Sequence, residues 1–455
     1  MDLLIEVSPG ETRAALVDGD GRLAEFMVER MGRESLVGAV VLGRVLRVEK
    51  GLDAAFVEIG AARPGFLRRA PDVHEGAAVL VQVTRDAAGD KGAALAWRPT
   101  MIGRYLAITP GRDGVNWSRG VRGRRERARL EETIDALARE DEGFAVRAHA
   151  LATDGDMLAA EADRLRARWR KIEAAASAAE PPATLLPAPG LIETLLRDRA
   201  GGAVVLDDRA ALAKTETLVG EAMPDLAGCL DFHAGPEPLF AAAGIEEQLD
   251  AALARTVDLP AGGRLTFDRT EALTAVDVDA GSAGGRKSAE AAALAVNLEA
   301  TAEAARQITL RNIGGLIVVD FISMRDKGNR RKVVEAVRRA FRGAAVATDV
   351  LGMTAAGLVE ITRRRAGPSL GETMLRSDDR APNLDPEAAA CAALRAALRQ
   401  TGAGRPVLEA SPWVIGALEG VLAPALAETN RRLGQALELR TDPGHDCFDV
   451  KLERD

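Results

Sequence analysis

The sequence predicts an α/β protein of several domains, and three observations support this fold class. Its 455 residues are enough for three or more domains, each with a core of its own. Between residues 265 and 320, two short β-branched apolar runs flank an alanine-rich segment with helical spacing. Between residues 35 and 98, short β-type runs alternate with glycines, which is typical of a small barrel.

The most informative part of the chain is a strand, a helix and a second strand. The runs Leu273–Asp279 and Leu316–Asp320 are the predicted strands. A helix is predicted from Arg286 to about Asn312, because apolar residues recur there at three- and four-residue spacing. Asn312 and the two glycines after it form a typical helix end. A crossover of this kind usually sets its two strands parallel.

Both predicted strands end in aspartate. In a parallel pair, Asp277 and Asp320 would end at the same edge of the sheet, within reach of one ion. Carboxylate oxygens suit Mg²⁺, which keeps most of its waters and takes one or two such ligands. The alternative is that these aspartates only mark the ends of strands, since aspartate is a common turn former.

The composition indicates a globular protein without a membrane segment. Hydrophobic residues make up 47% of the chain and charged residues 28%. No apolar run approaches the length of a membrane span, and the N-terminus shows no secretory signal, so a cytoplasmic location is predicted. The cysteines Cys229, Cys391 and Cys447 lie far apart, and four histidines are too few for a histidine-rich zinc site.

The net charge of −8 argues against a nucleic-acid partner, but the local distribution of cations does not. Clustered cations, rather than the net charge, form a phosphate-binding surface. The alternative for each cluster is a solvated helix face. Three clusters of cations stand out: Arg112, Arg119, Arg122, Arg124, Arg125, Arg127 and Arg129; Arg325, Lys327, Arg330, Arg331 and Lys332; and Arg363, Arg364 and Arg365.

Several long motifs resemble the ribonuclease E/G family. They occur in the family's order and cover most of the chain from Met1 to about Leu370. The resemblance implies hydrolysis of single-stranded RNA with one Mg²⁺ per active site, Mn²⁺ being a possible substitute. The motifs are TEALTAVDVDAGS at Thr270–Ser282, NLEATAEAARQITLRNIGGLIVVDFISM at Asn297–Met324, GLVEITRRR at Gly357–Arg365, KGAALAW at Lys91–Trp97, and the stretch from Leu4 to Phe66.

The chain begins with a predicted hairpin or meander over residues 1–34, where apolar positions alternate around an Asp-Gly turn. This piece is too small to be a domain. The resemblance implies that it pairs with residues 190–254 to form a ribonuclease H-like subdomain. The sequence shows no chemistry in residues 190–254, which are predicted to be scaffold.

Residues 35–98 are predicted to form a barrel of the OB type, and the resemblance implies an S1-like RNA-binding domain. Phe56 and Phe66 stand out in a chain with only 3% aromatic residues. From the sequence alone, both would be core residues. The resemblance implies instead that Phe56 and Phe66 contact RNA bases, and that Lys91 contacts RNA; the alternative for Lys91 is a solvated turn.

Residues 99–189 contain a predicted helix from about Asp156 to Ala175 and end in a proline-rich connector. The resemblance implies a region that senses a 5′-monophosphate, with Arg147 as the sensor. Arginine offers a bidentate fork for phosphate. The next residue is Ala148 where the family usually has threonine, so one hydroxyl donor is missing. Arg147 would then bind phosphate weakly or pair with an acid.

For residues 255–368 the resemblance implies a DNase I-like catalytic subdomain. Asp277 and Asp320 match the family's two magnesium-binding aspartates. Asp279 stands where the family usually has asparagine, and we expect it to share a strand face with Asp277. There it would act as an outer-sphere ligand or base, or it would change the metal affinity by repulsion. Ser323 replaces a usual acid.

Residues 369–395 form a predicted linker in which the family's CPxC zinc motif is absent, leaving Cys391 alone. No zinc is therefore expected, and any homodimer would not be linked by zinc. Residues 396–455 are predicted to be a small α/β domain with a helix near Ser411–Leu433. Its strands are predicted at Pro406–Glu409, Leu437–Arg440 and Phe448–Leu452.

The predicted function is a magnesium-dependent endoribonuclease that leaves 5′-phosphate and 3′-hydroxyl ends, in RNA processing or decay. The alternative is an RNA-binding paralogue with weak or lost cleavage. A phosphoryl- or nucleotidyl-transferase is disfavoured, because the sequence has no GxxxxGK[ST] phosphate loop.

Overall fold

The computed structural model describes residues 1–68, 73–118, 120–121, 123–260, 262–281, 289–344, 346–365, 367–375, 384–400, 402–445 and 447–453. The protein is a mixed α/β chain of two compact units. The sheet unit comprises Met1–Gly32, Val204–Asp208 and Phe232–Asp455, and the barrel unit comprises Arg33–Ala203 and Arg209–Asp231.

The strands of the described residues are numbered in chain order. They are β1 Asp2–Ser8, β2 Glu11–Val17, β3 Leu23–Arg30, β4 Val40–Glu49, β5 Ala54–Glu58, β6 Gly65–Arg68, β7 Ala78–Arg85, β8 Ala94–Ala96, β9 Met101–Ile102, β10 Leu106–Pro110, β11 Val115–Trp117, β12 Glu142–Val146, β13 Ala183–Leu186, β14 Val204–Leu206, β15 Leu230–Phe232, β16 Thr256–Asp258, β17 Arg264–Arg269, β18 Leu273–Asp279, β19 Gly315–Asp320, β20 Thr348–Met353, β21 Leu358–Arg363, β22 Arg405–Ala410, β23 Glu438–Thr441 and β24 Phe448–Glu453.

The α-helices of the same residues are numbered likewise. They are α1 Arg124–Leu137, α2 Gly155–Ala178, α3 Leu191–Asp198, α4 Arg209–Ala222, α5 Leu239–Ala242, α6 Ile245–Leu253, α7 Ala289–Leu310, α8 Lys327–Ala340, α9 Leu370–Met374, α10 Pro386–Arg399, α11 Pro412–Glu419 and α12 Ala423–Leu433.

The barrel unit contains a closed barrel of five strands in the order β4-β5-β6-β8-β7, which antiparallel pairing of β4 with β7 closes. Side chains alternate between the barrel core and the outside; Ala55, Val57 and Leu67, for example, are fully buried. The predicted OB-like barrel is confirmed. A second sheet, in the order β11-β12-β10-β9, shares a separate core with α1 and α2.

The sheet unit begins with the predicted meander: β1, β2 and β3 are antiparallel neighbours. β14 adds to β1 in parallel, in a sheet of order β15-β14-β1-β2-β3. Ion pairs of buried arginines lie within this sheet, and one of them joins the sheet to α6. Arg13 pairs with Glu6 and Glu246, and Arg30 pairs with Glu11.

The second sheet of this unit has the order β16-β17-β18-β19-β21-β20. Helices α7 and α8 share an apolar core with it, in which Val276, Ile317 and Ala300 are almost fully buried. The helix expected at Arg286–Asn312 is observed as α7, and residues 282–288 lie outside the described part of the chain. Asn312 has a positive φ of 48° beyond the helix end, as its role in the predicted stop requires.

The C-terminal part forms a three-stranded sheet of order β23-β22-β24 with a core shared by α10, α11 and α12. The prediction of one helix near Ser411–Leu433 was wrong. Two helices are observed instead. Helix α11 ends at Gly420, and helix α12 begins at Ala423 with a proline in its first turn. Helix α10 crosses the predicted boundary at residue 395, and residues 376–383 of the predicted linker lie outside the described residues.

Within the described residues, we find no helix that combines the length and the apolar character needed to cross a membrane.

Candidate active site

Strands β18 and β19 bring two carboxylates side by side. The strands are parallel and in register from Leu273 with Leu316 to Asp277 with Asp320. Neighbouring strands lie about 4.8 Å apart. Partners in register also project to the same face, so these two side chains leave the sheet next to each other. The parallel pair and the shared position of Asp277 and Asp320 confirm the geometry expected from the sequence.

The alternation of side chains along β18 explains why the acids are accessible. Val276 and Val278 point into the core beneath α7, while Asp277 and Asp279 point to the opposite, exposed face. On β19, Val319 is buried and Asp320 is exposed. The same pattern that anchors the strands in the core therefore presents the carboxylates to solvent.

No described side chain forms a hydrogen bond or an ion pair with Asp277 or Asp320. Asp279 differs, because its Oδ1 accepts a hydrogen bond of 3.0 Å from the backbone N–H of Gly281. Within the described residues, no three or more acidic, histidine or cysteine side chains converge as a metal cluster. Among the described residues, the donor set of the site is therefore two carboxylates, which fits an ion that keeps most of its waters.

A cavity of about 90 Å³ lies beside Asp320. Its lining includes Ser323 from the loop after β19, Arg330 from α8 and Gly357 from the turn before β21. Ser323 is exposed there, at the position where the family resemblance implies an acid. Arg330 is fixed by a hydrogen bond from its Nε to the carbonyl oxygen of Met324. The surroundings of Asp320 are therefore cationic and polar.

The three basic clusters predicted from the sequence differ in how exposed their cations are in the structure. In the third cluster Arg363 is only 5% exposed, and its guanidinium donates to the Asn312 side chain and the Ile313 carbonyl. Burial lowers the pKa of Arg363. It therefore holds the start of β19 in place, whereas Arg364 and Arg365 are exposed.

The second cluster begins just after β19. All five of its cations are exposed, on the first turns of α8 and the residues just before it. In the first cluster, Arg119 and Arg122 lie outside the described residues. Arg127 stacks on Trp117 and donates to the carbonyl of Val121, so it is partly engaged within the fold. The other described cations of the first cluster are exposed, so both clusters offer accessible positive charge, and the second is the one that follows β19.

The barrel presents an aromatic pair on its outer face. Phe56 of β5 and Phe66 of β6 are register partners, with ring centroids 5.5 Å apart and planes inclined at 60°. Arg47 of β4 is the register partner of Phe56, and its guanidinium carbon lies 5.0 Å from the ring centroid. Both rings are partly exposed, so they are not fully buried core residues. They form a surface on which planar groups can stack.

Lys91 lies in the exposed turn between β7 and β8. Its backbone pairs with Ala88 in an isolated bridge, which fixes the turn. The Lys91 side chain makes no described hydrogen bond or ion pair, so its charge is available to an anion.

Arg147 follows β12, and its guanidinium is engaged by the protein. Nη2 lies 2.5 Å from Oδ1 of Asp198 at the end of α3, and Nη1 donates to the carbonyl of Gly103. Burial opposes ionisation of Asp198, but Arg197 and Arg147 lower its pKa. Of the outcomes expected for Arg147, the structure shows the pairing with an acid.

Three residues that the sequence did not single out belong to these sites. Arg47 contacts Phe56 and Asp198 pairs with Arg147, each from a different segment of the chain. The spacing of residues along the sequence does not predict such pairs. Asn297 is fully buried on α7 and contacts the loop after Asp320. A polar residue at an apolar helix position was a usable signal for Asn297.

A model of the ribonuclease E/G family matches residues 100–366. Ribonuclease G of Escherichia coli K12 is 32% identical over 486 aligned positions, which cover 99% of both chains. Ribonuclease G of Haemophilus influenzae is 32% identical over 81% of this chain and 80% of its own. Ribonuclease E of E. coli K12 is 32% identical over 80% of this chain and 36% of its own. The chain belongs to the ribonuclease E/G family of endoribonucleases.

Proposed function

We propose that this protein is a magnesium-dependent endoribonuclease that hydrolyses single-stranded RNA and leaves 5′-phosphate and 3′-hydroxyl ends. The observation that carries the proposal is the pair Asp277 and Asp320, in register on parallel strands, exposed, and without a partner among the described residues. Free carboxylates at adjacent strand ends repel each other unless a cation binds between them.

Asp277 and Asp320 would hold the ion, and the exposed cations before and on α8 would attract RNA phosphates to this edge of the sheet. A bound Mg²⁺ supplies a water of lowered pKa and stabilises charge that develops on the phosphate. Asp279 is tied to Gly281 and would act as an outer-sphere ligand or base. Family membership and the chemistry of the donor set support these roles.

RNA binding is assigned to the outer face of the barrel. Phe56 and Phe66 would stack on bases, Arg47 would support the first ring, and Lys91 would contact a phosphate. Stacking accepts any base, so this surface gives affinity with little choice of sequence. Arg147 would be a weak 5′-phosphate sensor, since Asp198 occupies its guanidinium.

The finer domain scheme is part of the same proposal. Residues 1–34 and 190–254 would form the ribonuclease H-like subdomain, 35–98 the S1-like domain, 99–189 the sensor region and 255–368 the DNase I-like subdomain. Residues 369–395 would be a linker without a zinc motif, followed by a small domain at 396–455. The protein would act in RNA processing or decay in the cytoplasm, as a monomer or as a homodimer without a zinc link.

The test is cleavage of a fluorescent, single-stranded, A/U-rich RNA with Mg²⁺ or with EDTA. Asp277→Asn and Asp320→Asn should each abolish internal cutting. Asp349→Asn is the matched control, because Asp349 is an exposed acid of the same sheet on β20. Tight RNA binding without Mg²⁺-dependent cutting would contradict the proposal and leave an RNA-binding paralogue.

A further inference from the structure

Asn297 makes an unusual contact for a residue in the middle of a helix. It is fully buried on α7, whose buried residues in the core shared with the sheet are alanine, valine and isoleucine. Its Nδ2 donates to the carbonyl oxygen of Ile322 at 2.9 Å, and its Oδ1 accepts from the N–H of Ile322 at 3.0 Å. The amide thus satisfies both backbone groups of a residue two positions beyond Asp320.

A second polar contact from α7 fastens the same loop further along. Glu290 lies seven residues before Asn297, which is two turns and therefore the same helix face. Its carboxylate accepts from the backbone N–H groups of Arg325 and Asp326 at 3.0 and 3.1 Å. It also accepts from the side chain of Asn329 at 3.3 Å. The loop between β19 and α8 is therefore held to α7 at two points.

The cost of burying an amide indicates that Asn297 has a role beyond packing in the core. An apolar side chain would suit this core, and burial of an amide is costly unless its hydrogen bonds are made. Both are made here, and both go to one backbone position rather than to the helix itself. Phe321, which lies between Asp320 and Ile322, is 5% exposed and packs into the same core. The end of β19 is thus fixed in position and in direction.

We infer that Asn297 is a positioning residue that sets the carboxylate of Asp320 for metal binding. The inference rests on the proposed function, because it takes Asp320 as a metal ligand. Two hydrogen bonds to Ile322 restrict the backbone that carries Asp320, and so restrict where its carboxylate lies relative to Asp277. Groups that hydrogen-bond to a metal ligand typically change metal affinity or activity by about 10- to 100-fold when they are removed. Asn297 acts on Asp320 through the backbone, so we expect an effect at the lower end of this range.

The experiment measures Mn²⁺ binding to the full-length protein without RNA, from the electron paramagnetic resonance signal of the free ion. Asn297→Ala should raise the dissociation constant by about tenfold. Asp320→Asn should abolish this binding. Gln307→Ala is the matched control: Gln307 is also fully buried on α7, but its amide contacts Glu303 and Arg311 instead. It should leave Mn²⁺ binding unchanged.

Cleavage assays provide a second readout. Asn297→Ala should raise the Mg²⁺ concentration for half-maximal cutting by a similar factor, with an unchanged KM for RNA. If Asn297→Ala fails to fold, as judged by circular dichroism, Asn297→Asp is the variant that tests the inference. It keeps the shape of the side chain and the oxygen that accepts from Ile322, but loses the N–H that donates to Ile322. Glu290→Ala, at a partly exposed position, should shift metal binding in the same direction.

If the wild-type protein binds Mn²⁺ and folded Asn297→Ala or Asn297→Asp binds it with the same dissociation constant, the inference about Asn297 is overturned. The proposed function would not be affected by that result. Equal losses in Gln307→Ala would also overturn the inference, because general loosening of α7 would then explain the effect. Failure of the proposed function looks different, since the wild-type protein itself would then show neither Mg²⁺-dependent cutting nor a site that needs Asp320.

Discussion

At the scale of single residues, Asp279 stands where the family resemblance leads us to expect asparagine. Its Oδ1 accepts from Gly281, and an asparagine could accept the same bond. Asp279→Asn should therefore keep the turn and remove only a charge, about 7 Å along the strand from Asp277. Because this charge attracts a divalent ion through solvent, we expect a rise of a few-fold in the Mg²⁺ needed for half-maximal cutting.

The measurement is a Mg²⁺ titration of cutting at two salt concentrations. The difference between Asp279→Asn and wild type should shrink at high salt, because screening weakens a long-range interaction. A complete loss of cutting at all Mg²⁺ concentrations would instead make Asp279 a direct participant in the reaction.

Asp198 controls whether Arg147 is available to a phosphate. Both donor positions of the Arg147 fork are in use, one by Asp198 and one by the carbonyl of Gly103. Wild-type protein should therefore cut RNA with a 5′-monophosphate and RNA with a 5′-hydroxyl at similar rates. Asp198→Asn should raise the ratio of these rates about tenfold, since a charge-assisted bond to phosphate becomes available.

The assay compares the two RNAs in parallel reactions. The double variant Asp198→Asn with Arg147→Gln serves as the control and should return the ratio to its wild-type value. A strong preference of the wild-type protein for the monophosphate would show that phosphate displaces Asp198 without help.

At the scale of elements, α9 is fastened to the sheet that carries the carboxylates. Ser369 and Glu372 form a capping box, and Arg269 of β17 donates to Glu372 at 2.6 Å. Partial burial opposes ionisation of Glu372, but hydrogen bonds from Arg269 and Ser369 lower its pKa to about 2, below the ordinary value of 4.5. A carboxyl group whose pKa is lower in the folded state stabilises the fold at pH values above its pKa in the unfolded chain. This stabilisation is lost as the pH falls from about 4.5 towards 2.

Glu372→Gln should therefore lower the free energy of unfolding at pH 7 by about 1 kcal/mol, less than the full pKa shift implies because solvent screens this carboxylate. The difference from wild type should narrow steadily below pH 4.5. Urea unfolding at pH 7, 5 and 3.5 measures it. Glu335→Gln, which breaks an exposed pair with Arg338 on α8, is the control and should show little change at any pH.

The secondary-structure elements also show which features of the fold the sequence could predict. Alternation along β18 and β19 is a local property, so the strands, their crossover helix and the exposed aspartates followed from the residues alone. The break of the C-terminal helix at Gly420 was missed, because apolar spacing continues across it. Partners distant in sequence, such as Asp198 for Arg147, depend on tertiary packing that no periodicity records.

At the scale of the whole molecule, Cys391 contributes to the core of the C-terminal part. The residue is fully buried in the core of α10, α11 and α12. Burial raises the pKa of its thiol to about 12, so it stays protonated at neutral pH and packs as a small apolar group. A zinc chelator should therefore leave the elution volume in size-exclusion chromatography unchanged, and a shift towards a smaller species would contradict this.

The proposed roles of the two units differ, and this gives the last prediction. The aromatic pair lies in the barrel unit and the carboxylates lie in the sheet unit. Replacing Phe56 and Phe66 by alanine should weaken RNA binding by about 30-fold or more, since each of two stacked bases contributes about 1–3 kcal/mol. The maximal rate at saturating RNA should stay near that of wild type, because the metal ligands are untouched.

Asp320→Asn should show the reverse: RNA binding in EDTA unchanged, and cutting lost. Leu52→Ala is the control in the barrel, since Leu52 is 65% exposed and apolar but outside the aromatic pair. Fluorescence anisotropy measures binding, and the cleavage assay measures the maximal rate. If the phenylalanine variant bound RNA normally and cut it at the normal rate, the stacking surface would lie elsewhere. If it bound RNA normally but cut slowly, the barrel would instead orient the strand for the reaction.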